Sequence, residues 1–558
     1  MSQILRGSLL RCLPFIIIIP LALVVIPCSF LLYLPFLIYR QLVIQWVALF
    51  NRDTLGKILT TRSSLLIADK ITTSPRFALV SFMVLEGVVD IDHFRTVFQQ
   101  RILELLIDPE DVTGPGGKTL RYPELSQGFS YFGGFGFWKK LDSIDIRELI
   151  YFYNDDEIGP TTCETASDFT KKLCFKPFPK DKPLWEMVVY PNFIPDPNIT
   201  SGILPNTKYT GVSMRCHHGL ADGFSQFRAF QAMSTLGDTF KYIKPSDYTN
   251  KKSGNNNQAK SCCSGFARNV ALVCKMLFEL SQAIVRTPLL LEDWNEVKNR
   301  NFKKVQLDKN RKSNQESDDL LNACNDKPTK YLSRFSCDPS RNFPITEISG
   351  IKKAHCVSGT AVLYSAIVAA ARNTIFSDKI PENVLVVTPL PLPGASGKLR
   401  NHITMGAVIV PFSEENPIKR LLEMDKKFQN LKNSTMPLVN AIMMKAVGAL
   451  PSFLVYFILG RIYQSTSFIT VSNLAGPTTP IDFGGYPVLD FLFSSGASVG
   501  TNVLTVSLLS VSGNIRVGVG ADKQIIESDE KCQEFTENFF KELTFYKNSI
   551  NFETSDSV

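Results

Sequence analysis

Histidine is scarce in this chain, with five residues among 558. The twelve cysteines form no CxxC pair and no regular framework, which argues against structural zinc and fits a reducing compartment. The net charge of +8 is modest and diffuse, and the sequence has no basic stripe interleaved with aromatic residues. Nucleic acid is therefore not the expected partner, and an anionic phospholipid surface suits the charge better.

Apolar residues are abundant instead. They make up 44% of the chain, and the mean hydropathy of +0.03 is high for a soluble enzyme. Residues Cys12 to Tyr39 carry no charge, a run longer than the ~20 apolar residues that a bilayer span needs and too long for a cleaved signal peptide. Four prolines in this run leave a re-entrant hairpin open beside a single span. We therefore expect a membrane anchor within residues 1–60.

Two of the five histidines are adjacent, in the stretch Arg215–Gly223 with the sequence RCHHGLADG. The alternation from Thr210 to Cys216 predicts a half-buried strand before them. From Phe224 to Met233 apolar residues recur at helical spacing. The pair thus lies where a strand ends and a loop leads to a helix, a common position for a reactive imidazole.

These residue types suit general-base chemistry. A histidine with an ordinary pKa near ~6.5 takes up a proton at neutral pH and returns it within one turnover. Asp222 is placed to orient the ring or to hold the loop, for example by pairing with Arg215, and Gly223 permits a tight turn. A strand end followed by an Asp-Gly turn or N-cap is an equally ordinary structure, so the residue types alone leave both interpretations open.

Other chemistries fit the sequence less well. His217, His218 and Asp222 lack the helical spacing of HExxH-type metal sites, so no metal is expected. Gly496–Gly500 matches a GxSxG nucleophile elbow, but a strand follows it and the last histidine, His402, precedes it. A serine hydrolase is therefore not expected.

Three segments resemble known motifs. His217–Gly223 resembles the HHxxxDG motif of the CoA-dependent acyltransferase superfamily, which includes condensation domains, plant alcohol acyltransferases and wax ester synthase/diacylglycerol acyltransferases. Pro183–Glu186 is similar to the PLW motif of the last group, and Ser472–Pro477 to its SNxxGP motif. Ser63–Gly87 and Asn401–Ala407 look similar to further blocks of that group.

The resemblance implies a fold. It is α/β, with two chloramphenicol-acetyltransferase-like halves around a central tunnel and, in this chain, an N-terminal membrane segment. We expect the halves at residues 61–242 and 331–558, joined by a polar crossover at 243–330.

The resemblance also implies a reaction. The hydroxyl group of an acceptor attacks the thioester of acyl-CoA directly, so acyl-CoA is a substrate and no cofactor is needed. His218 is then the general base, His217 supports it and Asp222 is structural. A tetrahedral oxyanion needs a hydrogen-bond donor. The candidate oxyanion or substrate residues are Asn473, Ser472, Gly223 and Trp185, the last of which is as readily an ordinary core tryptophan.

Anchoring and a long apolar tunnel suit a water-insoluble acceptor, either a fatty alcohol or diacylglycerol. The expected location is the endoplasmic reticulum membrane with the catalytic part in the cytosol, and the lipid droplet is an alternative. Glycosylation at the sequons Asn198–Thr200 or Asn433–Thr435 would contradict the cytosolic placement. Two other classes stay open: a lapsed acyltransferase that binds lipid at the membrane, and a peptide-bond-forming condensation domain, which no carrier-protein segment accompanies here.

Periodicity predicts further elements. Leu438–Tyr463 is apolar but contains Lys445, Pro451 and Arg461, which favours an interfacial or tunnel-lining helix, with a core helix as the alternative. The other predicted elements are strands at Phe77–Glu86, Asn383–Pro389, Ala407–Phe412, Leu504–Val511 and Ile515–Gly520, and helices at Asp90–Leu106, Ala267–Val285 and Ser358–Ile375.

Overall fold

A computed structural model describes most of the chain. It covers residues 19–106, 120–153, 172–195, 206–234, 271–280, 331–335, 343–376, 380–393, 398–465, 468–477, 479–495, 502–522 and 529–555, and the single positions 162, 169, 170, 204 and 526. The helices are α1 Ile19–Phe50, α2 Thr61–Ile67, α3 Ile91–Phe98, α4 Ile146–Leu149, α5 Gly223–Gln231, α6 at 271–280, α7 Ile345–Ala354, α8 Gly359–Thr374, α9 Pro417–Asn433, α10 Met436–Val447, α11 Ser452–Ser465 and α12 Asp529–Ser555.

The strands form three sheets. They are β1 Leu55–Ile58, β2 Ala78–Glu86, β3 Gly128–Phe132, β4 Phe135–Lys139, β5 Ile150–Phe152, β6 Trp185–Phe193, β7 Tyr209–His217, β8 Tyr331–Phe335, β9 Phe343–Pro344, β10 Asn383–Pro391, β11 Ile403–Pro411, β12 Phe468–Leu474, β13 Asp482–Phe483, β14 Tyr486–Ser495, β15 Asn502–Val511 and β16 Asn514–Asp522. A small sheet has the order β1-β4-β3, and two large sheets dominate the rest.

The first large sheet has the order β13-β14-β2-β7-β6-β5 and centres on β7. This strand pairs antiparallel with β2 and with β6, so that His217 lies opposite Ala78 and Cys216 opposite Trp185. Every residue of β7 is buried, because side chains cover both faces of the sheet. The strand predicted from Thr210 to Cys216 is thus confirmed, but its predicted exposure on one face is wrong.

The second large sheet has the order β11-β10-β12-β15-β16-β8, with β9 pairing with β16. Helix α8 packs against α9 and α12 beside it. The alanine-rich sequence of α8 lets these helices approach closely, and the Ser358 side chain caps its N-terminus by accepting the Ala361 N–H. One continuous apolar core joins this sheet to its helices.

One segment from the later part of the chain joins the first sheet. Strands β13 and β14 come late in the chain, yet β14 pairs with β2 in the first sheet, from Val488 opposite Leu85 to Ser495 opposite Leu79. Phe491 on β14 belongs to the apolar core around β7. The halves expected at 61–242 and 331–558 therefore share a sheet, and those boundaries stay a prediction.

The prediction of a single helix at Leu438–Tyr463 is wrong. The structure has two helices, α10 and α11, separated by a break from Gly448 to Pro451, and together they are called the α10–α11 pair. A Cβ at Gly448 would lie 1.8 Å from the Thr61 carbonyl oxygen, so the break meets α2 backbone to backbone. This contact explains why glycine occupies the break.

The N-terminal segment is one continuous helix over its described length, α1, with no re-entrant turn between Ile19 and Phe50. Leu31–Phe50 is long and apolar enough to cross a membrane, and 17% of that stretch is buried. Arg40 lies inside it but is buried, donating to the Leu59 carbonyl at 3.2 Å and lying over the Phe135 ring. The Tyr33 hydroxyl donates to the Ala446 carbonyl at 2.8 Å, which ties α1 to α10.

Other predicted elements are confirmed within the described residues. They are β2, α3 with the π-turn Gln99–Leu103 that continues it, α8, β10, β11, β15 and β16, and of the helix predicted at Ala267–Val285 the described part, α6. The GxSxG match at Gly496–Gly500 and the Asn198–Thr200 sequon lie outside the described residues.

Candidate active site

The backbone of the adjacent histidines is held by two neighbouring strands. The N–H of His217 donates to the Leu184 carbonyl at 2.9 Å, and the N–H of His218 donates to the Phe77 carbonyl at 2.6 Å. Strand β7 therefore ends at a fixed point, and its last residue, His217, and the following His218 are both held by the neighbouring backbone. His217 is fully buried, whereas His218 is partly exposed.

His217 is held in one tautomer by its neighbours. The backbone N–H of Gly219 donates to Nδ1 of His217 at 3.1 Å, so this nitrogen carries no proton. The proton is on Nε2, which lies 3.1 Å from Oδ2 of Asp69. Asp69 in turn accepts the N–H groups of Arg76 and Phe77. His217 thus fixes the loop and offers no lone pair to a substrate.

His218 is held in the opposite tautomer by Asn401. The amide nitrogen of Asn401 donates to the His218 carbonyl at 2.7 Å and to Oγ of Ser63 at 3.2 Å, which sets the orientation of the amide. Its oxygen, 3.0 Å from Nδ1 of His218, must accept the ring proton. Nε2 therefore keeps a lone pair. Burial lowers the pKa of His218 below its ordinary value of 6.5, against the opposing effects of Asp222 and Asn401, so the ring is neutral at pH 7.

Asp222 holds the loop through two contacts. Its Oδ1 accepts the Ser225 N–H at 2.7 Å as the N-cap of α5, and its Oδ2 accepts the His402 N–H at 2.6 Å. The suggested pairing with Arg215 is wrong, since Arg215 lies on β7 before the histidines and faces other partners. Asp222 instead ties the histidine loop to the segment that carries Asn401.

Arg215 pairs with Glu186 in the interior. Its Nη1 lies 2.5 Å from Oε1 of Glu186, and its guanidinium lies over the Phe178 ring, 3.7 Å from the centroid. Glu186 also accepts from Lys176 and Tyr151. Burial raises the pKa of Glu186, but Arg215 and these donors outweigh it and leave the pKa below 4.5. The Phe178 ring also contacts His217 edge-on. The Arg215–Glu186 ion pair therefore supports, through Phe178, the buried histidine of the site.

The second motif approaches the first at α5. A Cβ on Gly223 would lie 3.2 Å from Cδ1 of Leu474, so the end of β12 abuts the start of α5. Ser472 and Asn473 precede Leu474 on β12 and are partly exposed. The structure thus brings the HHxxxDG and SNxxGP segments together, while the oxyanion role of Ser472 and Asn473 stays a prediction. Gly223 begins α5 and provides the space for Leu474.

Trp185 and Cys216 belong to the core. Trp185 is 1% exposed, donates to the Leu125 carbonyl at 2.8 Å and packs against Phe98, as the alternative interpretation of an ordinary core tryptophan expects. Burial raises the pKa of the Cys216 thiol to about 12, so this residue is no thiolate nucleophile at neutral pH.

Sequence reasoning assigned no role to Asn401 or Asp69. Asn401 is the first residue of a segment that resembles a family block. No local pattern in the sequence predicts its contact with His218, 183 positions earlier. Asp69 lies in an ordinary polar turn. Both contacts exist only in the folded chain, which brings the end of β7 next to Asp69 and next to Asn401, shortly before β11.

Comparison with known proteins is consistent with this geometry. The profile of the WS/DGAT C-terminal domain matches residues 400–544, which include Asn401 and the SNxxGP segment. Wax ester synthase/diacylglycerol acyltransferase 9 of Arabidopsis thaliana is 22% identical over 434 residues, covering 72% of this chain and 82% of its own. The chain is thus similar to wax ester synthase/diacylglycerol acyltransferases, both in its C-terminal part and over most of its length.

Solved structures agree on the fold. The wax ester synthase/diacylglycerol acyltransferase from Marinobacter aquaeolei VT8 superposes with a TM-score of 0.50 at 15% identity, covering 88% of this chain and 100% of its own. The first condensation domain of the calcium-dependent antibiotic synthetase superposes with a TM-score of 0.48 at 14% identity, over 88% of this chain and 96% of its own. The chain thus shares the mixed α/β fold of the Marinobacter enzyme, with two condensation-like halves. Its acyltransferase activity rests on this fold together with the matching C-terminal domain and the similar Arabidopsis protein.

Proposed function

We propose that the protein is a membrane-anchored O-acyltransferase that moves a fatty acyl group from acyl-CoA to a long-chain alcohol or to diacylglycerol. The observation that carries this proposal is the tautomer of His218. A neutral imidazole with its proton fixed on Nδ1 and a lone pair on Nε2, on a side chain that is partly exposed, can act as a general base.

The proposed reaction needs no acyl-enzyme. The acceptor hydroxyl gives its proton to Nε2 of His218 as its oxygen attacks the thioester carbonyl. The tetrahedral intermediate then expels the CoA thiolate, which receives the proton from His218, so the ring returns to its starting state. Asn473 and Ser472 are the proposed donors to the oxyanion, since they directly precede Leu474, which ends β12 beside the start of α5.

Exposed apolar side chains support the proposed membrane attachment. On α1, Leu32 and Leu49 are 74% and 71% exposed. Helix α1 contacts α10 through Tyr33. On α10, Met443 is 52% exposed, and on α11, Phe453 is 67% exposed. Such a surface is unfavourable in water but stable in lipid. Helix α10 also packs on α2 and β11, and α2 contains Ser63, whose hydroxyl accepts from the Asn401 amide that holds His218.

The location that follows is the endoplasmic reticulum membrane, with the base on the cytosolic side where acyl-CoA is made. The lipid droplet is the alternative location. The lapsed-enzyme alternative is not favoured, because the contacts of His218, Asn401 and Asp222 are intact. A condensation domain is not proposed, because the matching C-terminal domain and the similar Arabidopsis protein point elsewhere.

The proposal is tested with the full-length protein in neutral phospholipid vesicles. Labelled long-chain acyl-CoA is added with either a fatty alcohol or diacylglycerol, and wax ester and triacylglycerol are separated and counted. We expect product from at least one acceptor, and none with His218→Ala. The matched control is His355→Ala, on a histidine that contacts Ser549 in the second half, which should keep wild-type activity. Bound lipid without product from either acceptor would overturn the proposal in favour of a lapsed enzyme.

A further inference from the structure

Two arginines flank the amide that holds His218. Arg62 precedes Ser63 on α2, and Arg400 precedes Asn401. Because Nδ2 of Asn401 donates to Oγ of Ser63 at 3.2 Å, the two arginines stand on adjacent backbone segments, each one residue from this contact. The Ser225 hydroxyl donates to the Arg400 carbonyl at 2.8 Å, which fixes that segment against α5.

Each guanidinium has a buried nitrogen without an acceptor among the described residues. The Nε atoms of Arg62 and Arg400 are buried with no hydrogen-bond partner, and neither side chain forms an ion pair with a described residue. Other arginines with an unbonded buried nitrogen do have a partner for the rest of the group: Arg40 has the Leu59 carbonyl, Arg215 has Glu186 and Arg420 has Glu542. Arg62 and Arg400 are therefore a site of unsatisfied donors rather than a packing detail.

The two charges also repel each other. Burial, and after it the nearby Arg400, lower the pKa of Arg62. Burial and a nearby like charge both disfavour the charged form of a group, whereas an anion between the two guanidinium groups would favour it. Arginine is suited to such an anion, because its planar donors match the oxygens of a phosphate.

More positive charge surrounds the pair. Lys398 is two residues before Arg400, and Lys57 lies on β1, the strand before α2; both are exposed. Both lysines also act on Glu124: burial raises the pKa of this carboxyl, and Lys57 and Lys398 lower it. The two lysines therefore lie near one another, on the segments that lead to Arg62 and Arg400.

We propose that Arg62 and Arg400, with Lys57 and Lys398, bind the phosphates of the CoA donor. This proposal rests on the proposed function, because it assigns the donor end of the same site. CoA carries a pyrophosphate and a 3′-phosphate, separated from its thioester by the pantetheine arm. The cations would hold the phosphates while the arm reaches to His218. The apolar surface of α10 and α11 would then bind the acceptor. The charged acyl-CoA and the apolar acceptor would thus enter the site from different sides.

The test compares two donors that differ in their phosphates. Initial rates are measured for Arg62→Gln, Arg400→Gln and the double variant with a long-chain acyl-CoA and with the same acyl-pantetheine, which has no phosphate. We expect kcat/KM for acyl-CoA to fall roughly tenfold for each arginine, as for the loss of a charge-assisted phosphate contact. The value for acyl-pantetheine should stay within about twofold. Lys replacements at the same positions should restore part of the loss.

A matched control and a second measurement keep the outcomes separate. Lys352→Gln with Lys353→Gln removes two exposed cations from the end of α7 and should leave both donors unaffected. Equal losses with both donors would show that the arginines only support the fold, and would overturn the proposal. Unchanged acyl-CoA kinetics together with weaker binding to anionic vesicles would assign the phosphates to lipid headgroups instead. If the wild-type protein makes no ester, the proposed function fails, and calorimetric binding of CoA itself still decides whether this site exists.

Discussion

The side-chain oxygen of Asn401 lies 3.0 Å from Nδ1 of His218, and the nitrogen of the same amide donates to the His218 carbonyl. One residue of the second half thus fixes both the proton and the backbone of a residue of the first. An amide does this without adding charge, so the imidazole stays neutral. This relationship makes the pH dependence of the enzyme predictable.

Asn401→Asp should move the acid limb of the pH–activity profile to higher pH. In the wild-type protein burial lowers the pKa of His218 below 6.5, so the base stays unprotonated and active down to mildly acidic pH. A carboxylate beside Nδ1 stabilises the imidazolium and raises that pKa. The profile of kcat/KM against pH measures the shift. Asn401→Ala, which adds no charge, should lower kcat about 10- to 100-fold without moving the limb upward.

The two histidines should fail in different ways when replaced. His218→Ala should lower kcat by about 10²- to 10⁴-fold and should destabilise the fold less than His217→Ala, because His218 is partly exposed and only its ring contact with Asn401 is lost. His217→Ala leaves the buried Gly219 N–H without its acceptor and removes one donor to Asp69, and should cost about 1–3 kcal/mol in the free energy of unfolding. Kinetics and denaturant unfolding of both variants check this. Equal destabilisation by both would contradict the division of roles.

Removing the Arg215 guanidinium should unfold the first half more readily. Arg215→Ala leaves the buried Glu186 carboxylate with only Lys176 and Tyr151, and breaking a buried pair typically costs about 3–5 kcal/mol. Lys176→Ala removes a half-exposed partner of the same carboxylate and should cost about 1 kcal/mol or less. Denaturant unfolding compares the two, and similar costs would refute the argument.

The same pair predicts how stability depends on acid. The pKa of Glu186 in the folded protein is below its ordinary value of 4.5. Its charge therefore contributes stability above about pH 4.5, and this contribution is lost as the pH falls through the folded pKa. Unfolding free energy measured from pH 6 down to pH 3 should fall more steeply for the wild-type protein than for Arg215→Ala.

Gly448→Ala should strongly destabilise the packing of the α10–α11 pair on α2. The new methyl group would lie 1.8 Å from the Thr61 carbonyl oxygen, so α2 and the break between the two helices must separate. Gly460→Ala on α11 is the control, since no atom lies within 4 Å of its Cβ position and alanine favours a helix by about 1 kcal/mol. Thermal unfolding should thus move in opposite directions in the two variants. Because α2 carries Ser63, activity should fall with Gly448→Ala.

The sequence predicts the local elements well where period and capping agree. The strand before the histidines, the helix α8 behind its Ser358 cap and the hairpin of β15 and β16 all follow from alternation, helical spacing or turn residues. The motifs also place His218 at a strand end. These signals are local, so they survive without knowledge of the fold.

Long-range partners escape the sequence. Asn401, Asp69 and the true partner of Arg215 depend on which strands become neighbours, and no local pattern encodes that. Leu438–Tyr463 appeared as one helix because its composition is uniformly apolar, whereas the break at Gly448 is imposed by the α2 backbone. The alternation in β7 predicts one exposed face, which is wrong for a related reason. The small and polar residues of that face are covered by other side chains. One of these is Tyr190, whose hydroxyl donates to Ser213 at 3.1 Å.

The pairing of β14 with β2 has a consequence for how the protein is made. Until residues 486–495 leave the ribosome, about 400 residues after β2, that strand has an open edge with unpaired backbone groups. Open edges of this kind recruit other chains, so the nascent first half needs shielding by a chaperone or by the lipid surface during synthesis. Truncation anywhere before Tyr486 is thus expected to yield an aggregating fragment rather than a smaller enzyme.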